Sequence, residues 1–402
     1  MHSRSIEIVD YTTKRYDLTS HIVGISIIIG FILPHTISSL LLFVNPLLVI
    51  VLKLRNKNKS YYKYKTVVLI ALFIPLLLNF VQGVTFKSIQ IWATICLYFF
   101  CFPFVDKVEF KNIYIYITFV FIFVSQMAGL LNISSLTNII NILYPMNDYN
   151  EGNLTYIAEN ITSENYTDFR LAGIYRNSNS CAEALCMLMG FYIANNRIIN
   201  KYSIAFLGIM LYAILITGSR TGFMVAGAMV ATYLILNKKK MLVILLGLLL
   251  ILLFVFNGIN SDLRVFEIQE GFSGSFSAKS GTFMSYLSSE TSPIKLLFGY
   301  FDAARYRTMA KLGFMPAFDS DYGTLIFSYG FIGFFSILFF LVTVYRRVRK
   351  QERICFFLVL WMTSATIFKA FRMLFVFMLL LSMIYSNSRT STNNDSLILT
   401  RH

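Results

Sequence analysis

The chain has 402 residues, of which 56% are hydrophobic, 16% aromatic and only 14% charged, and its mean hydropathy is positive. Those proportions exclude an ordinary water-soluble domain and point to an all-α, polytopic membrane protein, a single integral domain over 1–402. A formal charge of +15 raises nucleic acid as a partner, but the charge sits in short loops between apolar stretches, as membrane topology requires.

Residues 1–19 are polar and the first apolar stretch runs on into more membrane, so no cleavable signal peptide is expected. That stretch, 20–52, is too long for one span of about 20 residues. Pro34-His35 interrupts it, which predicts two short helices. A basic loop follows, with Lys53, Arg55, Lys57, Lys59, Lys63 and Lys65, and belongs in the cytoplasm. Spans are expected near 66–82, 88–104 and 113–131, then a first large outer loop over 132–176. Its Asn-x-Ser/Thr triplets at Asn132, Asn153, Asn160 and Asn165 would suggest glycosylation in a secretory pathway, but most of them are expected by chance in so asparagine-rich a loop.

The sixth span is placed at 177–194. Residues 203–236 are apolar except for Gly218-Ser219-Arg220-Thr221-Gly222, and 34 residues suit two short spans better than one. The expectation is a tight hairpin with one arginine at its tip, costly at the bilayer edge unless something pairs with it. Lys238-Lys239-Lys240 closes the hairpin, and a ninth span at 241–256 leads to a second large outer loop, 257–322, carrying short helices. The last three spans fall near 323–344, 354–368 and 371–386.

Twelve spans with both ends inside place 23 of the 35 Lys+Arg in the cytoplasm, with lysine ahead of arginine; among the 12 outside, arginine leads. The basic excess thus reads as topology and attraction to anionic membrane lipid. Both long loops and the Gly-Ser-Arg-Thr-Gly tip fall on the outer face, and the outer arginines need their own explanation.

Arginine holds a phosphate through two parallel hydrogen bonds from its planar fork, which lysine cannot match. Arg170, Arg176 and Arg220 sit at membrane boundaries and lead the candidates for gripping a lipid-linked phosphate or pyrophosphate, with Arg264 and Arg305 behind them in the second loop. Arg176, Asn179 and Glu183 are spaced i, i+3, i+7, as on one helix face. An ionisable Glu183 in an apolar segment marks a functional or paired site. The plainer alternative is that Arg176 or Arg220 neutralises it to hold helices together. Asp319-Ser-Asp321 opens the tenth span and supplies either a helix cap or a general base for an attacking hydroxyl.

No metal or other cofactor is expected. An Asp-x-Asp pair is also the pattern of metal-dependent sugar-nucleotide enzymes, but nucleotide sugars are cytoplasmic and this pair faces out, so a metal is discounted. No Walker-type loop or His-Glu-x-x-His is present, and the five cysteines lack metal-ligand spacing. The four histidines, His2, His21, His35 and His402, lie toward the chain ends.

Arg170-x-x-Gly173-x-Tyr175-x-Asn177-x-Asn179, then Gly218-Ser219-Arg220-Thr221-Gly222, then Ser292-Pro293…Phe298-Gly299-Tyr300, then Gly330-x-x-Gly333 together resemble the bacterial O-antigen polymerase and O-antigen ligase superfamily. The resemblance covers roughly 165–345. It implies action on undecaprenyl-pyrophosphate-linked oligosaccharide at the outer face of the inner membrane, without cofactor. It further implies that Arg176, Arg220, Arg264 and Arg305 grip pyrophosphate, and that a chain-length regulator (a Wzz-type co-polymerase) is a partner. Ligases carry a histidine eleven residues before the first glycine of the Gly-x-x-Gly pair. Here that position is Asp319, which favours the polymerase (Wzy) branch. The expected activity is transfer of a growing glycan onto a lipid-linked repeat unit, with Arg220 stabilising charge and Asp319 (or Asp321 or Glu183) as base. The rivals are a ligase and a transporter or flippase of lipid-linked sugars.

Overall fold

The computed structural model describes residues 18–33, 38–55, 63–80, 86–105, 108–131, 133–144, 171–175, 178–196, 199–239, 292–301, 321–363 and 371–399, with a few isolated positions between 241 and 288. Every regular element among them is helical. The α-helices are α1 (Leu18–Ile32), α2 (Ser38–Arg55), α3 (Lys63–Phe80), α4 (Phe86–Cys101), α5 (Ile113–Leu130), α6 (Ser134–Leu143), α7 (Ser178–Asn195), α8 (Lys201–Leu215), α9 (Arg220–Leu236), α10 (Pro293–Phe298), α11 (Asp321–Arg347) and α12 (Phe371–Leu399). Two 3-10 segments, Gly173–Tyr175 and Glu352–Thr363, complete the set. All five cysteines are free thiols.

Two helices form the centre. On α7 every residue from Cys181 to Ala194 is buried, and on α12 so is every residue from Met373 to Ser388. They pack on each other, with α5, α8 and α9 around α7 and with α1, α2, α4 and α11 around α12. The surrounding helices turn apolar side chains both ways. On α2, Leu47, Ile50 and Leu54 are exposed; on α5, Ile113, Ile117, Val120 and Val124; on α11, Phe335, Phe339 and Val342. Spacings of three and four put each set on one outward stripe.

Contacts between helix ends fix their direction. At one end Lys53 Nζ donates to the Pro103 carbonyl (3.0 Å), Asn195 Nδ2 to the Phe110 carbonyl and the Asn112 side chain (2.7 Å each), and Tyr233 OH to the Asn196 carbonyl (2.6 Å). There too the Val108 amide reaches Asn387 Oδ1 (3.3 Å), the Arg349 amide reaches Ser388 Oγ (3.1 Å), and Ser388 Oγ donates to buried Glu352. At the opposite end Tyr175 OH donates to the Phe31 carbonyl (2.9 Å) and Tyr144 OH to that of Ile32.

Several expectations change in detail. The first stretch does divide into α1 and α2. The 132–176 segment, read as a loop, contains α6. Of the span expected at 354–368, the described part lies in a 3-10 helix over Glu352–Thr363, twelve residues long, and 364–368 fall outside the described residues. Runs of that length are uncommon, and a rise of about 2 Å per residue carries it further than an α-helix of the same count. Most of the ninth span, 241–256, lies outside the described residues. Of the described helices, Ile113–Leu130 and Tyr322–Arg347 are long and apolar enough to cross a membrane; the apolar stretches Leu18–Ile32, Lys65–Asn79, Ile89–Cys101, Lys201–Leu215, Arg220–Leu236 and Met373–Ser388 are shorter.

Helix α11 is broken. Gly330 has φ 64° and ψ −176°, a conformation essentially confined to glycine. The break is filled by 299–301: the Tyr300 amide donates to the Phe327 carbonyl and the Phe301 amide to that of Ser328, both at 2.8 Å. Asn79 of α3 joins them by donating to the Gly299 carbonyl (3.2 Å), and Lys295 Nζ donates to Asn79 in turn.

Candidate functional site

The Gly-Ser-Arg-Thr-Gly tip folds as its residues dictate. The last turn of α8 tightens, with the Thr217 amide on the Ile214 carbonyl (3.1 Å) and the Gly218 amide on that of Leu215 (3.0 Å). Gly218 then turns the chain at φ 66°, which a glycine adopts without steric cost. Ser219 caps α9, its hydroxyl accepting from the Gly222 amide at 3.3 Å. Arg220 is consequently the first residue of α9, where the helix dipole already favours negative charge.

Gly173 and its neighbours, the segment leading into α7, lie against this tip. The Leu171 amide donates to the Ile216 carbonyl at 3.0 Å. Two residues on, Gly173 sits at φ 53°, and a Cβ there would lie 2.3 Å from Ser125 Oγ of α5. The Ile174 amide donates to that same Oγ (3.2 Å). Beyond the segment, α7 runs alongside α9, and Cys186 Sγ lies 3.5 Å from the Gly222 carbonyl. Asn179 is half-buried in the first turn of α7. Glu183, four residues on and therefore on the same face, is 1% exposed. Glu183 Oε1 and Arg220 Nη2 are both shielded from solvent. Ser125, Gln126, Asn179, Glu183, Ser219 and Arg220 thus make a polar region at this end of the bundle.

Three of the expected site residues, Arg220, Asn179 and Glu183, are brought into this region. Asp321 is the first residue of α11; the adjoining Tyr322 OH reaches the Val359 carbonyl (3.4 Å) in the 3-10 helix that packs on α7 and α9. Arg170, Arg176, Arg264, Arg305 and Asp319 lie outside the described residues, so the i, i+3, i+7 face is described only for Asn179 and Glu183.

Ser125 and Gln126 were not among the expected residues. Their signal was present as a polar pair inside the apolar run 113–131. Gln126 is fully buried, and its Nε2 donates to the carbonyls of Leu171 (3.0 Å) and Ala213 (3.1 Å). Among the described residues no group of three or more His, Cys, Asp or Glu is placed to hold a metal ion.

No family model matches this chain, and no curated protein matches it either.

Proposed function

We propose that the protein is a polytopic enzyme of the bacterial inner membrane. In this reading it polymerises glycans by transferring a growing chain from undecaprenyl pyrophosphate onto a lipid-linked repeat unit at the outer face. The observation that carries this reading is the capped start of α9. It sets Arg220 on a helix N-terminus, partly shielded from water, beside the α7 face bearing Asn179 and Glu183. A pyrophosphate leaving group develops negative charge as the glycosidic bond breaks. A guanidinium and a helix dipole fixed in advance stabilise that charge without having to reorganise. Partial dehydration strengthens the attraction.

The attacking hydroxyl belongs to the non-reducing end of the lipid-linked repeat unit, and its proton passes to a carboxylate, with Asp319 first and Asp321 or Glu183 as alternatives. Outward apolar stripes on α2, α5 and α11 support a lipid-facing surface, because a helix that meets water turns its polar face outward. Wzz-type regulators of chain length are the corresponding protein partners.

Arg220→Ala tests the assignment in cells. The variant is expected to remain in the membrane while the surface glycan falls to one repeat unit, a rate loss of about 10²–10³. Long chains made by an expressed variant would remove Arg220 from the mechanism. Asp319→Asn is expected to shorten the polymer likewise, and undiminished length would exclude Asp319 as the base.

One observation favours a second reading. Transporters of lipid-linked sugars use interrupted helices, and α11 is interrupted at Gly330. Movement of lipid-linked sugar across a bilayer without any increase in chain length would select that reading.

A further inference from the structure

We infer that Gln126 is the positioning residue that holds Arg220 in place. This inference rests on the polymerase reading for its catalytic consequence, but not for its geometry.

The tightened end of α8 creates the need. With the Thr217 amide given to Ile214, the Ala213 carbonyl has lost the amide four residues on that would ordinarily bond it. Gln126 supplies a donor from another helix, at 3.1 Å. Its second N–H goes to the Leu171 carbonyl at 3.0 Å, while the Leu171 amide bonds the Ile216 carbonyl. One side chain amide therefore ties α5, the segment entering α7 and the last turn of α8. Two acceptors for one nitrogen also fix which end of the amide is nitrogen. Cys181 Sγ of α7 lies 3.5 Å from the same nitrogen.

From Ala213 to Arg220 the chain has little freedom. Two turn hydrogen bonds, the Thr217 hydroxyl on the Ile214 carbonyl (2.6 Å) and the Ser219 cap intervene. Displacing Ala213 and Leu171 therefore displaces Arg220. Gln126 is fully buried, so its effect on Arg220 runs through the tip.

The test compares wild type, Gln126→Leu and Gln126→Glu in proteoliposomes, by hydrogen exchange and by elongation of lipid-linked repeat units across pH. Gln126→Leu is expected to speed exchange in 171–175 and 214–222 together, leaving amides at the far end, such as 104–105, unchanged. Its kcat should fall about 10²-fold, the scale of a small misplacement, with KM nearly constant. Gln126→Glu faces two carbonyls with a carboxylate at high pH. At low pH its protonated form regains one O–H donor. Its activity relative to wild type should therefore rise as pH falls, whereas that of Gln126→Leu should stay flat.

Unchanged exchange in Gln126→Leu would overturn the inference, as would exchange raised over the whole molecule. A pH-independent Gln126→Glu, or failure of both variants to fold, would also overturn it. Wild type that elongates nothing while the local exchange change appears would leave the clamp standing and defeat the polymerase reading instead.

Discussion

The turn that carries Arg220 is built by residues without charge. Gly218 makes the turn, Ser219 ends it, and Gly173 lets the neighbouring segment approach. Ser219→Ala removes the cap on α9 and should cost about 1 kcal/mol, with Ser219→Asp restoring most of it. A lower thermal midpoint for the alanine variant in detergent checks this; equal midpoints would mean the cap contributes nothing. Gly173→Ala is more severe, because it combines a left-handed φ with a Cβ 2.3 Å from Ser125 Oγ. It should destabilise by several kcal/mol and abolish polymer even where some protein reaches the membrane. Wild-type polymer length from this variant would contradict the close packing.

The tip was legible from sequence because turn and cap chemistry is local. Gln126 was not, because its two carbonyl partners lie 45 and 87 residues further along the chain.

Two sequence motifs that stand apart in the chain meet at the level of elements. Gly299 and Gly330 each occupy a backbone conformation that only glycine adopts readily, and each would strike the other's segment with a Cβ. On Gly330 that Cβ would lie 2.1 Å from the Leu297 carbonyl oxygen. The pairing of 299–301 with 327–328 supplies amide donors for the carbonyls at the break in α11 and seats α10 between α3 and α11. Gly330→Ala should therefore release 293–301 and make it a site of limited proteolysis while α7 and α9 stay protected. An unchanged cleavage pattern would show that the two segments do not depend on each other. Both glycines stood out in the sequence; their meeting did not, since local pattern says nothing of which loop fills which break. The same limit applies to the 3-10 helix at Glu352–Thr363, whose apolar residues suit either helix type and which packs on α7, α9 and α11.

Across the whole molecule the described residues form an all-helical bundle. Two central helices are buried all round, and those outside them expose apolar stripes. Apolar run length made the helical elements legible, because it depends on no particular partner in the fold. The polymerase reading makes sidedness testable. Asn138 on α6 and Lys350 before the 3-10 helix are both exposed, at opposite ends of the bundle. In intact spheroplasts a membrane-impermeant maleimide should modify Asn138→Cys and spare Lys350→Cys; the reverse pattern would put Arg220 on the cytoplasmic face.

The most direct measurement reconstitutes the purified protein in proteoliposomes with undecaprenyl-pyrophosphate-linked repeat units and separates the products by size. Wild type should yield a ladder of lengthening chains without added metal or nucleotide, and Arg220→Ala should leave single units. A wild type that lengthens nothing, or an Arg220→Ala ladder equal to that of wild type, would contradict the account.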